Sequence, residues 1–199
     1  GGQLASVAVN PATNTIYAAG SGDSVAVISG QTNTVTATIP MGGQLASVAV
    51  NPATNTIYAA GSGDSVAVIS GRTNTVTATI SLSGQPHFIA VNSQTNAIYV
   101  TSSDNSTIQV ISGQTNTVTG TIGLDFGPAG EAVDPATNTI YVTDWSASTV
   151  SAISGSTNTV IATAGVGAAV GPLGVAVNPQ TNTIYVAGDI YSTLSVLTW

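Results

Sequence analysis

The sequence predicts an all-β protein, and three observations support this prediction. A segment of about 41 residues repeats along the whole chain of 199 residues. Each copy contains short runs rich in Val, Ile, Thr and Tyr, residue types that suit the pleated surface of a strand. No segment keeps the apolar period of about 3.6 residues that marks an amphipathic helix.

The repeat is almost exact at the start of the chain and diverges later. Residues 1–41 and 42–82 are identical at 38 of 41 positions. The segment VNPATNTIY at Val9–Tyr17 returns in every copy with at most three substitutions, and its tyrosines lie 41, 41, 42 and 44 residues apart. The copies occupy residues 1–41, 42–82, 83–124, 125–168 and 169–199, which we expect to form a single domain.

Four strands are predicted in the first copy. They are strand A at Val7–Val9, strand B at Ile16–Ala19, strand C at Val25–Ile28 and strand D at Val35–Ile39. Segments rich in Asn, Gly, Ser, Thr and Pro separate them, and these residue types favour tight turns. Four short strands in about 41 residues is the period of a β-propeller blade, in which stacked neighbours cover both faces of each small sheet.

The fifth copy predicts only three strands. Strand A is Val175–Val177, strand B is Ile184–Ala187 and strand C is Thr193–Leu197, and the sequence given ends at Trp199. Two interpretations follow, a closed ring of five blades or part of a longer array, and we expect the closed ring. The outer edge of the last blade lacks a partner strand, so we expect self-association or partner docking there, unless Trp199 covers it.

The repeat resembles the YVTN family of β-propeller repeats over the whole chain, in the pattern VAVNPATNTIY followed by ISG, TNTV and TI. The resemblance implies an array of four-stranded blades, often in surface-layer, periplasmic or extracellular proteins, and it implies no single activity. Abundant Thr, Ser, Asn, Gly and Ala with a single basic residue is also typical of an extracellular surface protein. We therefore expect an extracellular, cell-surface or periplasmic location.

The charge composition excludes several classes of function. Only 5% of the residues are charged, one of them is basic, and the net charge is −7. Binding to nucleic acid depends on Lys and Arg that displace phosphate counterions, so no nucleic-acid partner is expected. No stretch contains the roughly 20 dense apolar residues of a membrane-spanning helix, so no membrane insertion is expected either.

Most of the acidic residues fall on one predicted face of the propeller. The loops between strands B and C share this face, the top, and each contains one aspartate. These residues are Asp23, Asp64, Asp104, Asp144 and Asp189. Carboxylates are ligands of Ca²⁺, and a negative face attracts a basic partner, so a Ca²⁺ site is one interpretation and solvated turn residues are the other. No other cofactor is expected.

Aromatic residues outside the repeated tyrosine gather in blades three to five. Trp145 and Tyr191 are placed in B–C loops, and Phe126 precedes a strand A. Rigid aromatic rings beside polar groups commonly bind ligands. We therefore expect a binding surface for a glycan or a protein on the top face, formed by Trp145, Tyr191, Asp144, Asp189, Phe126 and Glu131.

Glu131 is the most unusual single residue, because Val or Ile stands at the equivalent position of every other copy. His87 begins the equivalent strand of the preceding blade. A His–Glu pair at the mouth of the central channel is able to do acid–base work, which gives the alternative of a small lyase or hydrolase. The expected function is a binding or scaffold module, since that requires no further residues.

Overall fold

Nineteen strands form five separate antiparallel sheets in the computed structural model, which describes residues 3–61, 63–102, 104–125, 127–167, 171–190 and 192–198. Hydrogen-bonded neighbours within each sheet are also neighbours in the sequence. Each sheet is one blade, and the described residues contain no helix. The predicted all-β propeller of four-stranded blades, with three strands in the fifth, is confirmed.

The strand bounds follow the repeat closely. Blades one and two consist of β1 (Leu4–Asn10), β2 (Thr15–Gly20), β3 (Ser24–Ser29), β4 (Thr34–Pro40), β5 (Leu45–Asn51), β6 (Thr56–Gly61), β7 (Ser65–Ser70) and β8 (Thr75–Ser81). Blades three and four consist of β9 (Phe88–Asn92), β10 (Ala97–Ser102), β11 (Thr107–Ser112), β12 (Thr117–Gly123), β13 (Pro128–Asp134), β14 (Thr139–Asp144), β15 (Thr149–Ser154) and β16 (Thr159–Gly165). Blade five consists of β17 (Pro172–Asn178), β18 (Thr183–Gly188) and β19 (Thr193–Thr198).

The predicted strands are confirmed in number and order, and the structure lengthens them. The first strand runs over Leu4–Asn10, where the apolar pattern alone indicated Val7–Val9. The first strands of the five blades pack side by side from blade to blade, so strand A is the innermost. No helix that is long and apolar enough to cross a membrane occurs in the described part of the chain.

Consecutive blades pack through two different faces, which we call front and back. The front face carries the repeated tyrosine, and the back face carries the isoleucine that precedes it. Between blades one and two, Tyr17 and Val25 of the front face pack with Ile57 and Val48 of the back face. The same arrangement recurs between each following pair of blades, which gives four apolar clusters.

Asparagines in the turns allow these short strands to reverse direction. The A–B and C–D turns each contain an Asn in the left-handed region, with φ between 50° and 56°. Asn tolerates this conformation better than other residues with a side chain. The members are Asn14, Asn33, Asn55, Asn74, Asn96, Asn116, Asn138, Asn158 and Asn182. The frequent Asn of the repeat therefore has a structural role.

A second set of asparagines connects one blade to the next. Asn51 ends β5, is fully buried, and donates from Nδ2 to Oδ1 of Asn96 at 2.7 Å. Its own Oδ1 accepts from the backbone N–H of Ala53 at 3.0 Å. The same cross-blade bond joins Asn10 to Asn55 and Asn92 to Asn138. Each of these side chains holds its own turn and also fixes the position of the neighbouring blade.

The expectation of a closed ring is wrong for the described residues. Val7 on the back face of blade one is 66% exposed, whereas its equivalent Val48 is 4% exposed. Leu194 on the front face of blade five is 64% exposed, whereas its equivalent Val25 is fully buried. No apolar cluster of the described residues joins blade five to blade one. The two faces that would meet in a closed ring are therefore both exposed, and blades one and five do not pack on each other as consecutive blades do.

Blade five also ends in an unpaired strand. Within the described residues β19 pairs with β18 and with no further strand. Its outer side therefore presents N–H and C=O groups that strand D satisfies in the other blades. Trp199, the residue considered as a cover for this edge, lies outside the described residues.

Candidate functional site

The B–C loop of blade four is held in place by Asp144. This residue ends β14 and is 3% exposed. Its Oδ1 accepts three hydrogen bonds, from the backbone N–H and the hydroxyl of Ser146 at 2.8 and 2.7 Å and from the N–H of Ala147 at 3.0 Å. Asp144 thus acts within its own loop through this oxygen. The loop it braces carries Trp145.

Trp145 is exposed over 46% of its surface. Its indole lies beside Gly171, which precedes β17, and Ile190, which lies in the B–C loop of blade five. A Cβ added to Gly171 would come within 2.7 Å of the indole Nε1 and within 3.0 Å of Cγ1 of Ile190. Gly171 also has φ +53°, which favours glycine. The absence of a side chain at Gly171 therefore lets the indole lie against this segment.

Asp189 joins the same surface from blade five. It is exposed, and its backbone N–H donates to the carbonyl oxygen of Gly171 at 3.0 Å. We call Trp145, Gly171, Asp189 and Ile190 the Trp145 patch. The indole of Trp145 and the backbone of Asp189, two predicted site residues, thus both lie against Gly171.

The sequence analysis missed Ile190 and Gly171. Ile190 adds exposed apolar surface beside the indole. A sequence signal for Ile190 was present in the B–C loop of blade five. This loop reads Asp-Ile-Tyr-Ser, where the first two copies have Ser-Gly-Asp. Two other predicted members of this surface, Phe126 and Tyr191, lie outside the described residues.

The remaining loop aspartates are exposed and lie on separate blades. They are Asp23, Asp64 and Asp104. The backbone carbonyl oxygens of Asp23 and Asp64 accept from the N–H groups of Met41 and Leu82, at 2.9 and 2.8 Å. Across the described residues no three His, Cys, Asp or Glu side chains lie close enough together to hold a metal ion. Their observed contacts are those of turn residues.

Glu131 lies in the middle of β13 and not at the mouth of the channel, so that part of the expectation is wrong. It pairs in register with Val142, and strand alternation puts its side chain on the back face that packs against blade three. Both carboxylate oxygens are buried and neither has a hydrogen-bond partner. The residue keeps some exposed surface, but none of it belongs to the carboxylate oxygens.

The surroundings of Glu131 disfavour its charged form. Burial raises the pKa of the Glu131 carboxyl well above its usual range. The backbone of Ala90 in β9 opposes this rise in part, yet it does not reach hydrogen-bond geometry with either oxygen. The Tyr99 hydroxyl of blade three is also buried without a hydrogen bond, and burial followed by the charge of Glu131 raises its pKa. These two groups are polar atoms buried beside the apolar cluster between blades three and four.

His87 lies just before β9, and its backbone N–H donates to the carbonyl oxygen of Thr101 at 2.9 Å. Because neither carboxylate oxygen of Glu131 has a hydrogen-bond partner, His87 and Glu131 are not hydrogen-bonded to each other. An acid–base pair that works on a substrate requires both groups within reach of it. The acid–base pair therefore stays a prediction, with no hydrogen bond between its two members.

A groove of about 290 Å³ lies between blades one and two. Ala67 lines it, at the position that Gln109 occupies in blade three. Gln109 fills the corresponding space, and its Oε1 accepts from the backbone N–H of Ser83 at 3.1 Å. The groove has no charged lining residue, so it arises from a small side chain and shows no polar arrangement typical of a catalytic site.

Comparison with known proteins gives no assignment. No protein-family model matches the sequence, and no curated protein matches it. The structure itself identifies the chain as a five-bladed β-propeller of repeated small antiparallel sheets.

Proposed function

We propose that this chain is a binding module of the cell surface or extracellular space, and that the Trp145 patch binds a glycan. The observation that carries the proposal is the exposed indole of Trp145 on a loop braced by Asp144. Sequence repeats that resemble the YVTN family support the location and the role. We also propose that the chain belongs to the YVTN family.

The geometry of the patch suits a sugar ring. The indole and Ile190 offer an exposed apolar surface, and aromatic side chains supply large contact area with few rotatable bonds. Asp189 is exposed beside them, and a carboxylate accepts hydrogen bonds from hydroxyl groups. The three hydrogen bonds to Asp144 hold the loop before any ligand arrives, so less conformational entropy is lost on binding.

The alternative of a small lyase or hydrolase has less support. Its acid–base candidate, Glu131, has carboxylate oxygens enclosed between blades three and four. A substrate would have to separate these blades to reach them. A protein ligand at the Trp145 patch is the competing binding hypothesis.

A glycan array probed with the purified chain tests the proposal, followed by titration of any glycan found. Trp145→Ala should weaken binding by at least about tenfold, since buried aromatic anchors carry much of the energy of an interface. The melting temperature should hardly change, because the indole is exposed. Ile161→Ala, an exposed apolar residue of β16, is the matched control and should bind like the wild type.

Repeating the titration with Ca²⁺ and with a chelator tests the loop aspartates. Loss of binding in the chelator, reproduced by Asp189→Asn, would place a Ca²⁺ ion in the glycan site. If glycan binding does not depend on Ca²⁺, the side chains of the Trp145 patch contact the sugar without a metal ion. Unchanged affinity of the Trp145→Ala variant, or an array with no bound glycan, would overturn the proposal.

A further inference from the structure

We propose that two copies of this chain bind each other head to tail, with the front face of blade five in one copy packed on the back face of blade one in the next. The terminal faces are exposed, apolar and different from each other. One is a front face and the other is a back face, which are the two kinds of face that meet wherever consecutive blades pack within the chain. This association is independent of the Trp145 patch.

The back face of blade one carries the same side chains that blade two uses. Val7, Val9 and Ile16 are equivalent to Val48, Val50 and Ile57, which pack against blade one within the chain. In blade one Val7 and Val9 are exposed instead. Blade one therefore presents a complete copy of a surface that is known, from this same structure, to pack on a front face.

The front face of blade five supplies the other half of that contact. Tyr185 and Val196 are equivalent to Tyr17 and Val27, and Leu194 is equivalent to Val25. In blade one these side chains are buried against blade two, whereas in blade five all three are exposed. A contact between the two ends would therefore reproduce the part of the blade one and two interface that strands A to C form, with Leu194 in place of Val25. Ile39 and Ala37 of β4, which complete that interface in blade one, have no counterpart in the described residues of blade five.

The charges of the molecule do not lie on these faces. The residues named on these two faces are aliphatic apart from Tyr185, and none of them is Asp, Glu, Lys or Arg. The net charge of −7 still makes two copies repel each other at longer range. Because salt screens exposed charges beyond about 10 Å at about 0.1 M, association should strengthen as salt is added.

The size of the faces predicts the strength of the contact. Six residues at about 3.3 Å and three or four strands about 4.8 Å apart give a face of roughly 300–400 Å². The pair would bury about 600–800 Å² in total, below the roughly 1,200 Å² at the lower end of stable interfaces. A single contact is therefore expected to be weak and reversible. A front-to-back contact also leaves one face free at each end, so association continues until a ring closes or a chain of copies forms.

Two double variants test the contact, each with one terminal face blocked. The back-face variant is Val7→Asp with Val9→Asp, and the front-face variant is Leu194→Asp with Val196→Asp. All four positions are exposed, so the fold should be retained, and circular dichroism checks this. Ile161→Asp, an exposed apolar residue on β16 outside both faces, is the matched control.

Sedimentation velocity over a range of concentrations measures the outcome. The wild type and Ile161→Asp should form larger species as concentration and salt rise, and each double variant alone should remain a monomer. An equal mixture of the two double variants should form a dimer and nothing larger, because each still has one intact face of the opposite kind.

Three results would overturn the proposal. One is a wild type that stays monomeric up to its solubility limit at high salt. Another is a double variant that still associates alone, as expected if like faces pair or if the edge of β19 joins another chain. The third is a mixture of the two variants that remains monomeric.

Discussion

A single carboxyl group disturbs the interface between blades three and four. Glu131 stands where Val48 and Val175 stand in other blades, and its two oxygens are buried without hydrogen bonds. An unsatisfied buried polar group costs free energy, and a buried charge without a partner costs more. The raised pKa of Glu131 is the expected response, since a protonated carboxyl is less costly to bury.

The effect of pH follows from this direction of the pKa shift. The unfolded chain titrates at this residue near about 4.3, and the folded protein titrates higher. Between these two values the folded state binds more protons than the unfolded state. The contribution of Glu131 to the free energy of unfolding is therefore greatest below about pH 4.3 and falls as pH rises through the folded-state pKa.

Replacing Glu131 with Val should remove this penalty. We expect Glu131→Val to raise the free energy of unfolding near neutral pH by about 1–3 kcal/mol. The gain should shrink toward about pH 4, and urea unfolding measured across this range follows it. The matched change Val48→Glu should introduce the same pH dependence between blades one and two. If the free energies of unfolding of the wild type and of Glu131→Val changed with pH in the same way, the carboxyl of Glu131 would not be desolvated.

At the level of the elements, the turns of neighbouring strands approach each other too closely to admit extra atoms. Gly113 follows β11 in blade three, and its N–H donates to the carbonyl oxygen of Asn96 at 2.9 Å. A Cβ at Gly113 would collide with the side-chain Oδ1 of Asn96 and come within 2.9 Å of the Tyr58 hydroxyl from blade two. This glycine therefore allows both the A–B turn and the blade contact to form.

Alanine at Gly113 should destabilise the protein, by about 1–3 kcal/mol, because the added methyl group forces these neighbours apart. Gly123 in the same blade is the control, since a Cβ there meets no atom within 4 Å. We expect Gly123→Ala to be neutral or slightly stabilising. Thermal unfolding of both variants measures the difference, and equal melting temperatures would contradict the close packing of these turns.

For the whole molecule, each blade depends on its neighbours for stability. A blade in the middle of the array packs on both faces, whereas blades one and five each pack on one. In arrays of this kind stability is approximately a sum of repeat terms and contacts between neighbours. The end blades are therefore expected to open more readily than the central ones.

Hydrogen exchange of the backbone amides should reveal this gradient. The second strands β2, β6, β10, β14 and β18 make a fair comparison, because each is hydrogen-bonded on both sides. In dilute protein we expect slower exchange in β6, β10 and β14 than in β2 and β18. Uniform protection would mean that the five blades unfold as one unit.

Much of the fold could be predicted because its signals are local. The period of about 41 residues, the Val and Ile runs of each strand and the Asn-rich turns act within a few residues of one another. The three strands of the fifth copy could be predicted by counting runs alone. At the candidate site, the departure of Trp145 and Asp189 from the repeat was visible in the same way.

The tertiary structure decided the features that depend on contacts between blades. It put Glu131 against blade three, Gly171 beneath the indole of Trp145, and the faces of Val7 and Leu194 in solvent. Each of these outcomes depends on contacts between different blades, such as that of Trp145 with Gly171, which lie 26 positions apart in the sequence. The sequence determined which strands form, because strand pattern and turn chemistry are properties of short segments. The rotation between blades decided which side chains meet, because it results from packing many side chains across each interface at once.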